Sequence, residues 1–197
     1  MEEESTMNVP LRRPMRLSEF LAWEERQELR YEFDGFQPLA MVGGTAAHNT
    51  ISVNITSALQ RRLRGTPCRV FGSDMKVEVI GHIRYPDALV VCSPVARDAK
   101  VVRDPVVVFE VLSDSTGLVD RIDKNEEYRQ TPSIRRYVML EQDRPAATVF
   151  MRSGNEWLGR VIAGDGVLGM PEIGAEIPLA ELYEGVDFPT GETDAAS

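Results

Sequence analysis

Segments with helical spacing alternate along the chain with runs of apolar, β-branched residues, and this alternation is typical of an α/β protein. The clearest helical pattern begins after Thr45, a suitable N-cap, and continues to Arg64. A shorter helix is predicted to begin with Ser18 as its N-cap, and a third covers residues 118–130. The predicted strands are residues 31–33 and 36–42, which form a hairpin around Asp34-Gly35, and residues 68–71, 75–80, 83–91, 106–112, 137–140, 148–152 and 157–163.

These elements predict a mixed central β-sheet flanked by helices, with additional β-strands at the C-terminal side. Residues 106–112 are apolar almost throughout, which favours a central strand buried on both faces. The chain has 197 residues, of which 43% are hydrophobic and 27% charged, as expected for one domain with a sizeable core. We therefore expect a mobile arm over residues 1–15, a single domain over 16–188 and a disordered tail over 189–197.

Two acids interrupt the apolar strands. Asp87 follows Pro86 within the predicted strand 83–91, and Glu110 lies near the end of 106–112. A buried carboxylate is costly unless a cation meets it, and oxygen ligands are those that Mg²⁺ and Mn²⁺ prefer. The pair therefore suggests a shared divalent metal. The alternative is that each acid ends a strand and pairs with a nearby arginine.

Pro86-Asp87, Glu110-Val111-Leu112-Ser113 and Lys124 together resemble the PD-(D/E)XK nuclease superfamily. The flanking sequence is similar to a bacterial family of restriction endonuclease domains that is expanded in cyanobacteria. The matching pieces, within about residues 17 to 161, are 31–35, 46–49, 86–90, 110–116, 123–124 with Tyr128, and 134–138. The resemblance implies a restriction-endonuclease-like fold and a Mg²⁺-dependent endonuclease, with Mn²⁺ as a second possible ion. Its substrate would be the phosphodiester bonds of nucleic acid, with DNA expected.

The same resemblance implies the roles of the metal ligands. Asp87 and Glu110 would bind the ion together with the backbone carbonyl of Val111. Glu32 would add a further acid from an N-terminal element.

The catalytic lysine departs from the commonest superfamily pattern, which places it two residues after the glutamate. This chain has Leu112 there. The resemblance to the bacterial family implies instead a lysine from the following helix, where Asp123-Lys124 stands, and Lys124 would then stabilise charge on the phosphate. Lys76 is the substitute candidate. The alternative for Lys124 is a solvated helix-surface lysine that pairs with Asp120 or Glu127.

Three further residues are candidates for supporting roles. His48, near the start of the second helix, can contact phosphate or water, and the equal alternative is a capping or partly buried structural histidine. Ser113 can hydrogen-bond a ligand carboxylate, or can serve only as a turn residue. Tyr128 lies one helical turn after Lys124 and can pack beneath it.

The formal net charge of −9 is unfavourable for phosphate binding, but the acids are concentrated at the two ends. The three N-terminal glutamates and the eight acids after Arg160 account for 11 of the 31 acids, whereas all 22 Lys and Arg lie between them. The intervening chain is therefore near +2, which is compatible with nucleic acid. The competing hypothesis is a nuclease-fold binding or regulatory protein without catalysis.

Other features limit the remaining function classes. The sequence contains no Gly-x-Ser-x-Gly elbow, Walker A loop or dinucleotide fingerprint. Cys68 and Cys92 are too few for a disulfide scaffold or a zinc finger, which predicts reduced thiols in a cytoplasmic protein. No apolar stretch is long enough to span a membrane.

Because nucleases on duplex DNA commonly work as dimers, we expect a homodimer, with 149–150 and 177–183 as candidate interface segments.

Overall fold

The computed structural model describes residues 14–41, 43–112 and 118–188, with the side chains of 118–121 outside the description. The predicted N-terminal arm, except its last two residues, and the whole predicted tail, 189–197, lie outside these ranges. Ser113 lies outside them as well.

The helices are α1 (Leu17–Glu24), α2 (Ala46–Arg62), α3 (Leu118–Gln130) and α4 (Leu179–Leu182), with a 3-10 turn at Pro171–Ile173. The strands are β1 (Tyr31–Phe33), β2 (Pro38–Ala40), β3 (Arg69–Gly72), β4 (Lys76–Val79), β5 (His82–Arg84), β6 (Ala88–Val91), β7 (Val101–Val102), β8 (Pro105–Val111), β9 (Arg136–Leu140), β10 (Ala146–Ser153), β11 (Glu156–Ala163), β12 (Val167–Met170) and β13 (Ala175–Pro178).

The strands form a six-stranded sheet in the order β11-β10-β9-β8-β6-β3 and a five-stranded sheet in the order β2-β1-β5-β4-β7. A separate hairpin joins β12 and β13 near the C-terminus. The pairs β8–β9 and β4–β7 are parallel and the other pairs are antiparallel. The predicted α/β fold with a mixed central sheet, flanking helices and additional C-terminal strands is therefore confirmed.

Strand β8 lies inside the six-stranded sheet and has both faces covered. On one face, Phe109 packs in the same core as Ile51 and Ile55 of α2. On the other face, Val108 packs with Tyr128 of α3. The prediction of a central strand is confirmed, and its last residues lie where helices from both faces meet.

The apolar run 83–91 is not one strand, as the sequence suggested. It is divided into β5 and β6, which belong to different sheets, with Tyr85-Pro86-Asp87 as the connection. Pro86 has no N–H to donate to a ladder, so the chain can leave one sheet here and enter the other. Asp87 therefore lies at the crossover between the sheets instead of inside a strand.

The predicted helix starts are right for α2 and wrong for α1. The Oγ1 of Thr45 accepts the N–H of His48 at 3.1 Å, as an N-cap does. In α1 the N-cap is Arg16, whose N–H donates to the carboxylate of Glu19 at 2.9 Å. Ser18 lies one residue inside that helix.

The expectation of reduced thiols is wrong for this structure, because Cys68 and Cys92 form a disulfide. Arg69 of β3 pairs with Val91 of β6, so the cysteines stand at the next facing position of this antiparallel pair. Their separation of 24 residues along the chain concealed this contact.

The proposed interface segments are also wrong as stated. Val149, Ile177, Leu179 and Leu182 are fully buried in the protein's own core, so they are not available to a second subunit. Within the described residues, no helix is long and apolar enough to cross a membrane. Location in the cytoplasm stays a prediction.

Candidate active site

An open cavity of about 820 Å³ lies where the β1–β2 hairpin, the start of α2, the β5–β6 crossover, the end of β8 and α3 meet. Six of the residues proposed from the sequence line this cavity: Glu32, His48, Asp87, Glu110, Val111 and Lys124. The structure thus brings together side chains that the sequence spreads over more than ninety positions. Their chemical roles stay predictions.

The pairing of β6 with β8 explains how the two central acids meet. Ala88 faces Phe109 in this antiparallel pair, so the next positions, Asp87 and Glu110, stand opposite each other where the pair opens. Each strand thus delivers one carboxylate to the same wall of the cavity.

Asp87 is buried and is held by three donors. Its Oδ2 accepts the N–H of Val111 at 2.7 Å, and its Oδ1 accepts the hydroxyl of Ser52 at 3.2 Å. The Nε2 of His48 lies 3.3 Å from the same Oδ1. These contacts fix the carboxylate in one orientation beside the end of β8.

Glu110 is partly exposed to the cavity, and its Oε1 accepts the hydroxyl of Tyr128 at 2.8 Å. Burial raises the pKa of Glu110 to about 7, and the nearby charge of Lys124 only partly opposes this effect. The charges of Asp87 and Glu32 raise the pKa further. The carboxylate form of Glu110 would therefore be stabilised by additional positive charge in the cavity.

His48 lies in the first turn of α2, and its side chain lines the cavity together with Asp87 and Glu110. Its pKa is raised by the hydrogen bond with Asp87, against the effect of burial, and further by the charges of Asp87 and Glu110 and a hydrogen bond with the backbone of Val111. A Cβ on Gly44 would lie 2.8 Å from Nδ1 of His48, so the loop approaches the ring closely only because residue 44 is glycine. The imidazole of His48 thus lies beside Asp87, and the charges of the two proposed metal ligands favour its protonated form.

Lys124 is directed into the cavity and not along the helix surface. Its Nζ lies 3.2 Å from Oε1 of Glu32, and its side chain is only 12% exposed. Glu32 also accepts the N–H of Tyr85 at 3.2 Å and the NH1 of Arg84 at 3.3 Å. The proposed surface pairing with Glu127 is wrong, because that acid binds Arg84 and His82.

A buried ion pair attaches α3 to the five-stranded sheet. Arg84 of β5 donates through Nε to Oε2 of Glu127 at 2.7 Å and through NH2 to Oε1 at 2.5 Å. The Nδ1 of His82 lies 2.6 Å from the same Oε1. Burial opposes the charge on Arg84, but hydrogen bonds and the charges of Glu127 and Glu32 outweigh it and raise the pKa of Arg84.

This Arg84–Glu127 pair was missed from the sequence. Glu127 lies between Lys124 and Tyr128 on α3, so the pair sets the position of both. The available signal was Arg84, a single arginine three residues before Asp87 in an otherwise apolar run. Its partner Glu127 becomes apparent only when α3 is packed against β5.

Lys76, the substitute candidate, is not brought to the cavity. It is buried and forms an ion pair with Glu24, which also accepts the hydroxyl of Tyr85 at 2.7 Å. The lysine therefore faces α1, and Lys124 is the lysine that the structure places with the two acids.

The possible metal ligands at the end of β8 fit a hard divalent cation, because Asp87, Glu110 and the carbonyl of Val111 offer oxygen atoms only. In the ranges that the structure describes, no cluster of three or more His, Cys, Asp and Glu side chains has the arrangement of a metal site. The side chains thus supply two ligands of an incomplete oxygen shell. Over the same ranges no arginine pairs with Asp87 or Glu110. The side chain of Arg121 lies outside these ranges, so the alternative that arginines hold these acids stays open.

Comparisons with known proteins identify the family and the fold of the chain. The Uma2 family model, described as "Putative restriction endonuclease", matches residues 17–180. The uncharacterized protein slr1290 of Synechocystis sp. is 31% identical over 176 residues, which cover 86% of this chain and 92% of that protein. The uncharacterized protein sll1609 of the same organism is 26% identical over 154 residues, which cover 75% of this chain and 87% of that protein.

A solved structure shares the fold. The crystal structure described as a putative nuclease belonging to DUF820, from Anabaena variabilis, superposes with a TM-score of 0.72. The match covers 86% of this chain and 98% of that one, at 17% sequence identity. The resemblance to restriction-endonuclease-like proteins of the PD-(D/E)XK superfamily is confirmed.

Proposed function

The chain belongs to the Uma2 restriction endonuclease family, and on this premise we propose that it is a metal-dependent endonuclease that hydrolyses phosphodiester bonds in nucleic acid, with DNA as the expected substrate. The observation that carries the proposal is the meeting of Asp87, Glu110 and Lys124 in one cavity. Two facing carboxylates and one ammonium group are what a site for phosphodiester hydrolysis requires.

The proposal assigns the ion to Asp87, Glu110 and the carbonyl of Val111. A bound Mg²⁺ or Mn²⁺ would neutralise phosphate charge and lower the pKa of the attacking water. The Val111 N–H, Ser52 and His48 keep Asp87 oriented toward this position.

Lys124 is assigned to the charge that develops on the phosphate. A fixed cation at such a position is effective because it needs no reorganisation during the reaction. Glu32 contacts Lys124 and Arg84, which supports a positioning role for this acid in addition to the auxiliary metal role inferred from the sequence.

A catalytically inactive nuclease-fold protein is the second candidate. It is favoured by the departure of the lysine from its usual strand position and by the net charge of −9, which weakens phosphate binding. The two candidates differ in whether the purified protein cuts nucleic acid.

Cleavage of single-stranded and double-stranded DNA, each tested in Mg²⁺ and in Mn²⁺, tests the proposal. We expect the wild type to cut, Asp87→Asn and Glu110→Gln to be inactive, and Lys124→Met to lose on the order of 10²-fold in rate. Lys100→Met is the matched control, because Lys100 is exposed and pairs with Glu25 away from the cavity. An inactive wild type with both metals, or unchanged cleavage by Asp87→Asn, would contradict the proposal.

A further inference from the structure

We propose that the cavity accepts unpaired nucleotides, whose bases pack against an apolar wall formed by Leu29, Leu39 and Met41. This inference rests on the proposed nuclease function and specifies its substrate. It assigns single-stranded or locally unpaired nucleic acid, in preference to an intact duplex.

The three apolar residues belong to the β1–β2 hairpin and its flanks, and all three line the cavity that contains Asp87 and Glu110. Leu39 is the direct cross-strand partner of Glu32, so the two side chains lie on the same face of the hairpin. Glu32 contacts Lys124, so the hairpin face that carries Leu39 also contacts the proposed phosphate-binding group, and both residues line the same cavity. Met41 continues this pairing, since its N–H donates to the carbonyl of Arg30 at 3.1 Å.

The wall is open to solvent. Leu29 is 61% exposed and Leu39 is 36% exposed, although both lie beside charged groups. Exposed apolar surface gains free energy when a ligand covers it, and such surface next to a polar site commonly marks a binding region. The ligand that fits this wall has an apolar face attached to a phosphate.

An unpaired nucleotide has this combination and a paired one does not. In a duplex the base faces are stacked inside the helix, whereas in a single strand they are available to protein side chains. Leucine and methionine side chains are also used as wedges against unstacked base steps. A strand whose phosphate lies near Lys124 would present its neighbouring base to Leu39.

The charges of the cavity agree with this substrate. Among the described residues that line it, the arginine and lysine side chains are Arg30 and Lys124, and each is already paired, Arg30 with Asp74 at 2.5 Å and Lys124 with Glu32 at 3.2 Å. Duplex binding depends on many phosphate contacts along both strands. A cavity whose described arginine and lysine are both paired, and which has an apolar wall, is better suited to a few nucleotides of one strand.

Fluorescence anisotropy tests the inference with labelled oligonucleotides that carry phosphorothioate linkages, in the presence of Mn²⁺. The probes are a single DNA strand, the same strand as RNA, its perfect DNA duplex, and that duplex with a central unpaired region. We expect at least one single strand, and the interrupted duplex, to bind roughly tenfold or more tightly than the perfect duplex. Equal or tighter binding of the perfect duplex, or no binding of any probe, would overturn the inference.

A variant of the wall gives a second test. Leu29→Ser combined with Leu39→Ser should weaken single-strand binding roughly tenfold and leave the weaker duplex binding unchanged. Val167→Ser is the matched control, because Val167 is 46% exposed on β12 and does not line the cavity. Single-strand binding that survives in the double variant, with an unchanged melting temperature, would exclude the wall as the binding surface.

Cleavage measured with unmodified probes separates this inference from the function on which it rests. Tight single-strand binding without cleavage in Mg²⁺ or Mn²⁺ would refute the proposed nuclease function but would still support the apolar wall as a binding surface. Cleavage restricted to the perfect duplex would support the nuclease function but would refute the binding of unpaired nucleotides at the apolar wall.

Discussion

Glu110 is the residue at which the electrostatics of the cavity are least balanced. It faces Asp87 across the β6–β8 pair, is close to Glu32, and has Lys124 as its nearby cation. Two ionised carboxylates this close repel each other, and a divalent ion bound between them would remove the repulsion. The stability of the protein should therefore respond to metal and to pH through this residue.

Added Mn²⁺ or Mg²⁺ should raise the melting temperature of the wild type. Binding to the folded state alone stabilises it by about 2.7 kcal/mol when free metal is one hundred times its dissociation constant. Glu110→Gln should remove most of the rise, and Glu126→Gln, an exposed acid on α3, should not. Differential scanning fluorimetry measures the melting temperatures. A wild-type melting temperature that is unchanged by both metals would contradict the prediction.

The stability of the metal-free protein should fall as pH rises from about 4.5 to 7. The pKa of Glu110 is raised from 4.5 to about 7 in the folded state, so the folded protein holds a proton in this window that the unfolded chain has released. The free energy of unfolding should fall by about 3 kcal/mol at most, since each pKa unit corresponds to about 1.4 kcal/mol.

Urea denaturation at pH 5 and pH 8 in EDTA measures this dependence. The difference between wild type and Glu110→Gln isolates the contribution of Glu110, with the variant relatively more stable at pH 8. His48, whose pKa is raised, contributes a loss of the same sign in both proteins as pH rises through its folded pKa. Parallel pH dependences in the two proteins would mean that Glu110 titrates normally.

Sequence and resemblance together selected six of the residues that line the cavity, but not the contacts that hold them there. Asp87 and Glu110 stand out because acids are rare in apolar runs. Arg84 and Glu127 have no such signal, since their pairing depends on how α3 packs against β5. The proposed pairing of Lys124 with Glu127 was wrong for the same reason, because its partner Glu32 is distant along the chain. The alternative partner Asp120 has its side chain outside the described residues.

At the scale of elements, the Arg84–Glu127 pair connects β5 to α3. Removing one partner leaves the other charge buried, which typically costs 3–5 kcal/mol. Arg84→Met and Glu127→Leu should each lower the free energy of unfolding by about that amount. The double variant should recover a large part of the loss, because it leaves neither charge unpaired. Denaturant unfolding of the four proteins gives the coupling energy, and additive losses would argue against a specific pair.

Element boundaries were predictable where the local signal was strong. Helix α3 was predicted over residues 118–130 and is found there, and Thr45 caps α2 as expected. The division between β5 and β6 was not predictable, because the run is apolar on both sides of Pro86 and the change of sheet is a property of the tertiary fold. Strands β12 and β13 have four residues each and lie in a segment rich in glycine, proline and acids, which conceals their pairing.

For the whole molecule, the six-stranded sheet ends in an exposed edge strand, β11. Leu158 and Val161 on this strand are 51% and 70% exposed. If two copies pair antiparallel about Leu158, Glu156 of each copy faces Arg160 of the other, which adds two favourable cross-strand pairs. We therefore propose β11 as the surface of the expected homodimer, in place of the buried segments 149–150 and 177–183.

Light scattering should show a dimer for the wild type and a monomer for Leu158→Lys, because a charge opposite its own symmetry copy is repelled. Val167→Lys places the same charge on another exposed position and should remain dimeric. A monomeric wild type at high micromolar concentration would rule out the homodimer.

The position of a bound metal tests the central claim most directly. A crystal soaked in Mn²⁺ and measured at a wavelength where manganese scatters anomalously should show a peak in contact with carboxylate oxygens of both Asp87 and Glu110. That result would identify the cavity as a metal site on the two residues that the β6–β8 pairing brings together. A map without a peak between these acids, with manganese bound elsewhere or not at all, would contradict the account.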